Sequence, residues 1–314
     1  MSARIDGERA RELAVRAATL YYLQDRNKLD IAEELGISRF RVARLLDLAK
    51  EIGAVTVVVK ENPSPEDALA ARLRRTFTLH DCVVVTTEEG ANALGRVATA
   101  AAGFITSRLT PQDVLGLSWG RTLAAMSSYL GELPPARLVQ LTGTLGTDLS
   151  ISPLEIMRRA TNRSDGESFP IVAPLLADSE ESANMFRRQP EVRRALDAFA
   201  TLTMAALSVG SWNPTTSQAR QYLTDEERAE YEALGVEGEI GGVFLTRAGD
   251  VIEGSAQRRM IGITADALRP VPQKIVVAEG TAKAGTVLGA LRGGLANSLI
   301  VDAALAHELL HLAT

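Results

Sequence analysis

The sequence is poor in residues that make bridges and metal sites. Cys82 is the only cysteine in 314 residues, so the chain cannot close a disulfide on itself. Its place in the run CVVV reads as a small buried hydrophobe rather than a reactive thiol. There are three histidines, and two of them fall in HELLH, residues 307–311. That string matches HExxH, in which histidines one helical turn apart bind zinc and the glutamate acts as base. Such a site needs a third protein ligand, and only Leu312, Ala313 and Thr314 follow, while His80 lies far upstream. A helix that turns Leu305, Leu309 and Leu312 inward, with its histidines near the favourable end of the dipole, accounts for the same letters. No metal and no cofactor is expected.

Long apolar runs are also missing. No stretch approaches the length of a membrane span, and the amino terminus, MSARIDGERAREL, is charged throughout and lacks the apolar core of a secretory signal. The expectation is a cytoplasmic protein without a membrane partner. Neither sign of charge dominates: the net charge of −5 by itself argues against a nucleic-acid binder. Its distribution argues otherwise. Residues 1–60 hold 11 Lys and Arg against 9 Asp and Glu, whereas the rest of the chain holds 23 against 30. A small cationic reader on an acidic body fits this split, with dimerisation needed to enlarge a footprint of only +2.

What is present is a pattern in residues 29–50, LDIAEELGISRFRVARLLDLAK. Leu29, Ile31, Ala32 and Leu35 form one helical stripe, Gly36 breaks it, and Val42, Leu45, Leu46 and Ala49 form a second. A glycine able to take the left-handed conformation ends the first helix, and Ser38 is placed to cap the next. This is a helix-turn-helix, whose second helix enters the DNA major groove with its first turns against base edges. Ser38, Arg39, Phe40, Arg41 and Arg44 lie there, and arginine suits both guanine and phosphate. An ordinary helical hairpin with a solvated cationic face is the plainer alternative. Upstream, Ala10, Leu13, Ala17, Leu20 and Tyr21 share one face of a supporting helix. Downstream, residues 54–60 are β-branched and suggest a wing-like strand.

The chain length favours two domains. The two prolines of residues 61–67, ENPSPED, mark a linker, giving a DNA-binding domain at 1–60 and a second domain at 68–314. In the second domain short apolar runs alternate with helical stretches. Residues 82–86, 114–118, 138–141, 170–173, 204–209, 243–246, 275–278 and 299–302 read as strands, and 91–109, 122–130, 155–160, 224–234, 282–291 and 303–312 as helices. This alternation predicts an α/β domain, a parallel sheet with helices on both faces.

Ligands of such sheets bind beyond the carboxyl ends of the strands. Three loops there hold the chemistry. In GLSWGRTL, residues 116–123, a helix start with Ser118, Arg121 and Thr122 makes an anion site. In LTGTLGTD, residues 141–148, glycines and threonines offer donors, although a plain glycine-rich turn explains them equally. In the third, residues 278–302, Gly280 precedes a helix that carries Lys283 in its first turn, against the dipole unless an anion binds, with Arg292 at its far end.

These residues resemble the SorC/DeoR-type family of bacterial sugar-binding transcriptional regulators. The matches, in order along nearly the whole chain, are LDIAEELGISRFRVARLL, GLSWGRTL, GEIGGVFLTRAGDVI, IGITADALRPVP and AEGTAKAGTVLGALRGGLANSLIVD. The resemblance implies a DNA-binding head, winged in type, and an effector domain similar to phosphosugar isomerases, with dimers assembling into tetramers. It places a phosphate cradle on Ser118, Gly120, Arg121 and Thr122, a sugar-contacting loop on Gly143 and Thr144, and basic contacts on Lys283 and Arg292. Members often carry two glycines where this chain has Glu279 and Gly280, so an acidic side chain enters the pocket, either to accept from sugar hydroxyls or to repel a phosphate.

The expected function is a transcriptional regulator whose hold on double-stranded operator DNA is controlled by a sugar, polyol or sugar phosphate. The alternative is an enzyme on the same fold, a sugar-phosphate isomerase or lactonase with Glu239, Asp250 and Glu279 as bases. An isomerase needs no DNA-reading head, so residues 29–50 separate the two.

Overall fold

The computed structural model describes residues 2–24, 26–55, 64–86, 92–146 and 148–313. The chain divides into two compact units, Met1–Asn62 and Pro63–Thr314.

Among the described residues the first unit packs three helices. Ser2–Ala18 runs on into a π-helical turn, Thr19–Leu23, and is followed by Lys28–Leu35 and Arg39–Glu51. Its core joins Ala14, Ala17 and Leu20 to Ile31, Ala32, Val42, Leu45, Leu46 and Ala49. Asn27 caps the second helix, its side-chain oxygen accepting from the Leu29 and Asp30 amides at 2.8 and 3.1 Å. Gly36 ends that helix at φ 63°, where a Cβ would strain the backbone. Leu29 departs from the expected stripe and is 58% exposed. It stands two residues before Ile31, roughly 200° around the helix, and so faces away from the core. The strand expected at 54–60 falls mostly on residues 56–60, outside the described residues.

The second unit opens with the helix Pro65–Phe77, started by a capping box in which Ser64 and Asp67 bond each other's backbone amides. Residues 65–67 of the expected linker are therefore the first turn of a helix, because a proline at its start gives up no hydrogen bond. Ten strands follow among the described residues: β1 Asp81–Val85, β2 Val114–Leu117, β3 Arg137–Gln140, β4 Ser168–Phe169, β5 Met204–Leu207, β6 Val209–Ser211, β7 Gly238–Ile240, β8 Val243–Leu245, β9 Gln273–Ala278 and β10 Ser298–Asp302. Seven form a sheet in the order β1-β10-β9-β5-β2-β3-β4, parallel at every pairing. The strands are apolar on both sides, as a sheet covered by helices requires. In β9, Ile275 and Val277 face a layer containing the helices Ala93–Arg108, Arg121–Ser128 and Pro153–Thr161. Val276 and Ala278 face Pro65–Phe77, Ala284–Arg292 and Ala303–Leu312.

Three expected strands differ from the structure. The run at 204–209 splits, since β5 ends at Leu207 and β6 joins a second, antiparallel sheet, β6-β7-β8. The run at 243–246 belongs to that small sheet too. Residues 170–173 lie past the end of β4; Ile171 and Ala173 are buried without a ladder, between Pro170 and Pro174, which have no amide hydrogen to donate. The small sheet carries an aromatic cluster, with Tyr231 against Phe244 at 4.5 Å between ring centroids and stacked near Trp212 at 6.2 Å.

From β2 the chain moves outward through β3 to β4, then returns to the other side of β2 and runs through β5, β9 and β10. The direction reverses between β2 and β5. That gap is the topological switch point, where an open parallel sheet leaves a crevice beyond its carboxyl ends.

Candidate functional site

In the helical unit the second helix of the pair begins at Arg39. Ser38 Oγ accepts from the Arg41 amide at 3.3 Å, a side-chain cap that fixes where the helix starts. With Val42, Leu45 and Leu46 buried, the 3.6-residue period turns Ser38, Arg39, Phe40, Arg41 and Arg44 to solvent. Phe40 is 82% exposed. Among the described residues the ion pairs of this unit join Arg16 and Arg26 to Asp30 and Glu34, so Arg39, Arg41 and Arg44 keep their charges uncompensated. The first two turns of the capped helix thus expose three arginines and an apolar ring.

In the α/β unit the switch-point crevice is built from the residues that follow β2, β5 and β9. After β2, Ser118 is buried, and its hydroxyl accepts from the Ser208 amide at 3.2 Å, tying the ends of β2 and β5 together. Gly120 starts the next helix at φ 124°, and a Cβ there would also run into the Ser208 side chain, so the turn demands glycine. Gly120, Arg121, Thr122 and Lys283 line one small cavity of about 30 Å³, together with Ser208, Gln218 and Glu239. Glu279 joins them: its Oε2 accepts from Thr122 Oγ1 at 3.0 Å and lies 2.5 Å from Lys283 Nζ. Thr122 and Lys283 are buried and the Glu279 side chain is 19% exposed, so this ion pair is largely withdrawn from water.

Glu239 is buried on β7, and its carboxylate accepts from the Gly242 amide at 3.0 Å. Burial pushes its carboxyl up to about 7, offset in part by that hydrogen bond. Gly242 in turn lines a larger cavity of about 290 Å³ with Arg187, Gln257, Met260, Gly262 and Thr264. Gln257 Oε1 is buried there and makes no hydrogen bond among the described residues. Thr142, paired to Gly262 by an antiparallel bridge, has an equally unpartnered buried hydroxyl. Buried polar atoms without partners are costly, and a hydroxylated ligand would satisfy them.

The other expected contacts are engaged elsewhere. The Gly143 amide donates to Ile261 O at 2.8 Å and the Thr144 amide to Ala173 O at 2.9 Å, so the amides of this loop hold the fold together. The Gly280 amide donates to Asp302 Oδ1 at 3.0 Å, and Arg292, exposed at the far end of its helix, donates to Arg247 O at 3.2 Å. Sequence reading missed Ser208 and Gln218. Ser208 directly follows β5, but the apolar run predicts a strand continuing to residue 209. Among the described residues no group of three or more His, Cys, Asp or Glu is placed to hold a metal ion, and no helix is long and apolar enough to cross a membrane.

Residues 62–311 match the family model described as "Putative sugar-binding domain". The deoxyribonucleoside regulator of Bacillus subtilis is 28% identical over 310 residues, covering 96% of this chain and 97% of its own. The transcriptional regulator LsrR of Enterobacter sp. is 28% identical over 310 residues, covering 96% and 94%. Among solved structures, the full-length sorbitol operon regulator SorC of Klebsiella pneumoniae superposes with a TM-score of 0.74 at 26% identity, over 96% of this chain and 99% of that one. These relatives are regulators that carry both units, which sets aside the isomerase or lactonase reading. With a helix-turn-helix on one unit and a switch-point crevice on the other, the chain belongs to the SorC/DeoR-type family of sugar-binding transcriptional regulators.

Proposed function

We propose that Ser38, Arg39, Phe40, Arg41 and Arg44 read double-stranded operator DNA and that a sugar, polyol or sugar phosphate bound beyond the sheet sets how tightly they do so. The observation that carries this reading is the exposed arginines of the capped helix, joined in one chain to a switch-point crevice that holds a buried lysine, a hydroxyl and a carboxylate. Paired heads read two half-sites of a near-palindromic operator, one helical turn or a multiple of it apart, which calls for a dimer; two dimers make the tetramer. The effector binds one arrangement of the oligomer better than the other, and that difference limits how far DNA affinity shifts. The setting is the cytoplasm.

The effector lies across the two cavities, with Thr122, Lys283 and Glu279 at one end and Gln257 and Thr142 at the other. Titrating the purified protein with free and phosphorylated sugars and polyols while following thermal unfolding tests this, since a ligand specific to the folded state raises the melting temperature. A compound that shifts melting should also change retention of operator fragments. No shift across the panel from a protein that still binds DNA would refute the effector assignment.

A further inference from the structure

A helix start beside a parallel-sheet switch point attracts an anion, because its amides and dipole favour negative charge. Here the chain supplies that anion itself. Glu279 follows β9 directly and reaches the start of the helix Arg121–Ser128, where the Thr122 hydroxyl donates to it at 3.0 Å. The same oxygen holds the Lys283 ammonium at 2.5 Å. Lys283 is the cation buried in this crevice, since Arg121, which also lines it, is exposed. Both the hydroxyl and the buried charge that would receive a phosphate are therefore engaged by a carboxylate.

Room and charge point the same way. The cavity left beside the pair is small, about 30 Å³ against about 290 Å³ for the cavity lined by Gln257 and Gly242. A phosphate brought to Lys283 would meet the Glu279 carboxylate at contact distance in a largely buried place. Like charges close together in a region shielded from water repel strongly. A ligand hydroxyl meets no such barrier: it donates to the carboxylate, and Lys283 remains as counter-ion.

We propose that Glu279 makes this crevice select an uncharged polyhydroxylated effector, a free sugar or polyol, and exclude the phosphorylated form. The proposal rests on the effector-binding reading above and narrows it. Glu279 is a specificity-determining residue whose carboxylate engages the hydroxyl of Thr122 and the ammonium of Lys283.

The experiment uses inorganic phosphate as probe. Binding is measured by calorimetry on the full-length wild type, on Glu279→Gln, which keeps the shape and removes the charge, and on Glu279→Gly, which empties the position. The expected result is phosphate binding at least about tenfold tighter in both variants than in wild type, with Lys283→Ala in the Glu279→Gln background abolishing the gain. A second measurement uses wild type alone: across pairs of free sugars or polyols and their phosphate esters, the free member should give the larger rise in melting temperature. Equal phosphate binding by wild type and both variants, or a preference of wild type for the esters, overturns the proposal. Failure of the regulator reading shows up separately, as wild-type protein that retains no DNA fragment at low salt.

Discussion

The carboxylate of Glu239 on β7 accepts from the amide of Gly242, in the turn to β8, at 3.0 Å, and among the described residues this is the one hydrogen bond to a fully buried acid. Its folded pKa of about 7 stands above the ordinary 4.5. A raised pKa means that the fold favours the protonated carboxyl. Its contribution to stability is complete below about 4.5 and is lost as pH rises through about 7. Over that window the effector unit should lose on the order of 3 kcal/mol from this group alone. Thermal unfolding of wild type and Glu239→Gln from pH 5 to pH 8 checks it: the slope should flatten in the variant, and parallel curves would contradict the assignment.

Arg41→Ala should weaken operator binding and reduce the dependence of log affinity on log salt by about 1 if the guanidinium contacts a phosphate. A loss of about 1–3 kcal/mol confined to one base position would instead mark a base contact. Effector-induced melting shifts should be unchanged in either case. Fluorescence anisotropy with labelled operator across a salt series gives both numbers.

Phe40, 82% exposed between Arg39 and Arg41, has an apolar ring to place against a thymine methyl group. Phe40→Ala should therefore lose discrimination between thymine and uracil at one position of the operator while folding normally. Identical preference in wild type and variant would remove Phe40 from base reading.

Gly120→Ala combines an unfavourable φ of 124° with a clash on Ser208, and should cost about 1–3 kcal/mol of the effector unit's stability. Because the turn also positions Thr122, effector binding should weaken more than DNA binding. Melting curves with and without effector, beside operator retention, distinguish a local effect from general unfolding.

Lys283→Ala leaves the mostly buried Glu279 carboxylate without its counter-ion, which should destabilise by about 2 kcal/mol, less than for a fully buried pair. Operator binding at low temperature should survive while the effector response is blunted. A normal response would dismiss Lys283 as a contact.

The readable parts of the sequence were the local ones. Gly36 and Ser38 lie within the motif they shape, so the turn and the cap followed from residue chemistry alone, and β9 with its loop was visible as an apolar run ending in Glu279 and Gly280. The small sheet was not readable. β6, β7 and β8 are three residues each, too short for alternation to register, and nothing local distinguishes an antiparallel partner from a parallel one. Asn27, which caps the first helix of the pair, was hidden in a polar link. The bond from Thr122 to Glu279 crosses 157 positions, and no spacing rule reaches that far. The roles of Gly143 and Thr144 were open on sequence because donors look alike until their partners are known; here Ile261 and Ala173 take their amides.

The pairing of β1 with β10 bears on how the protein is made. Asp81 is in register with Ser298, so the first strand of the sheet must wait for nearly the whole domain to be synthesised before its partner exists. The helical unit, with a core of its own residues, has no such wait. On the ribosome, then, the head can reach its final shape while the sheet is still incomplete, and a chain stopped before β10 would leave the edge of β1 open to pair with other chains.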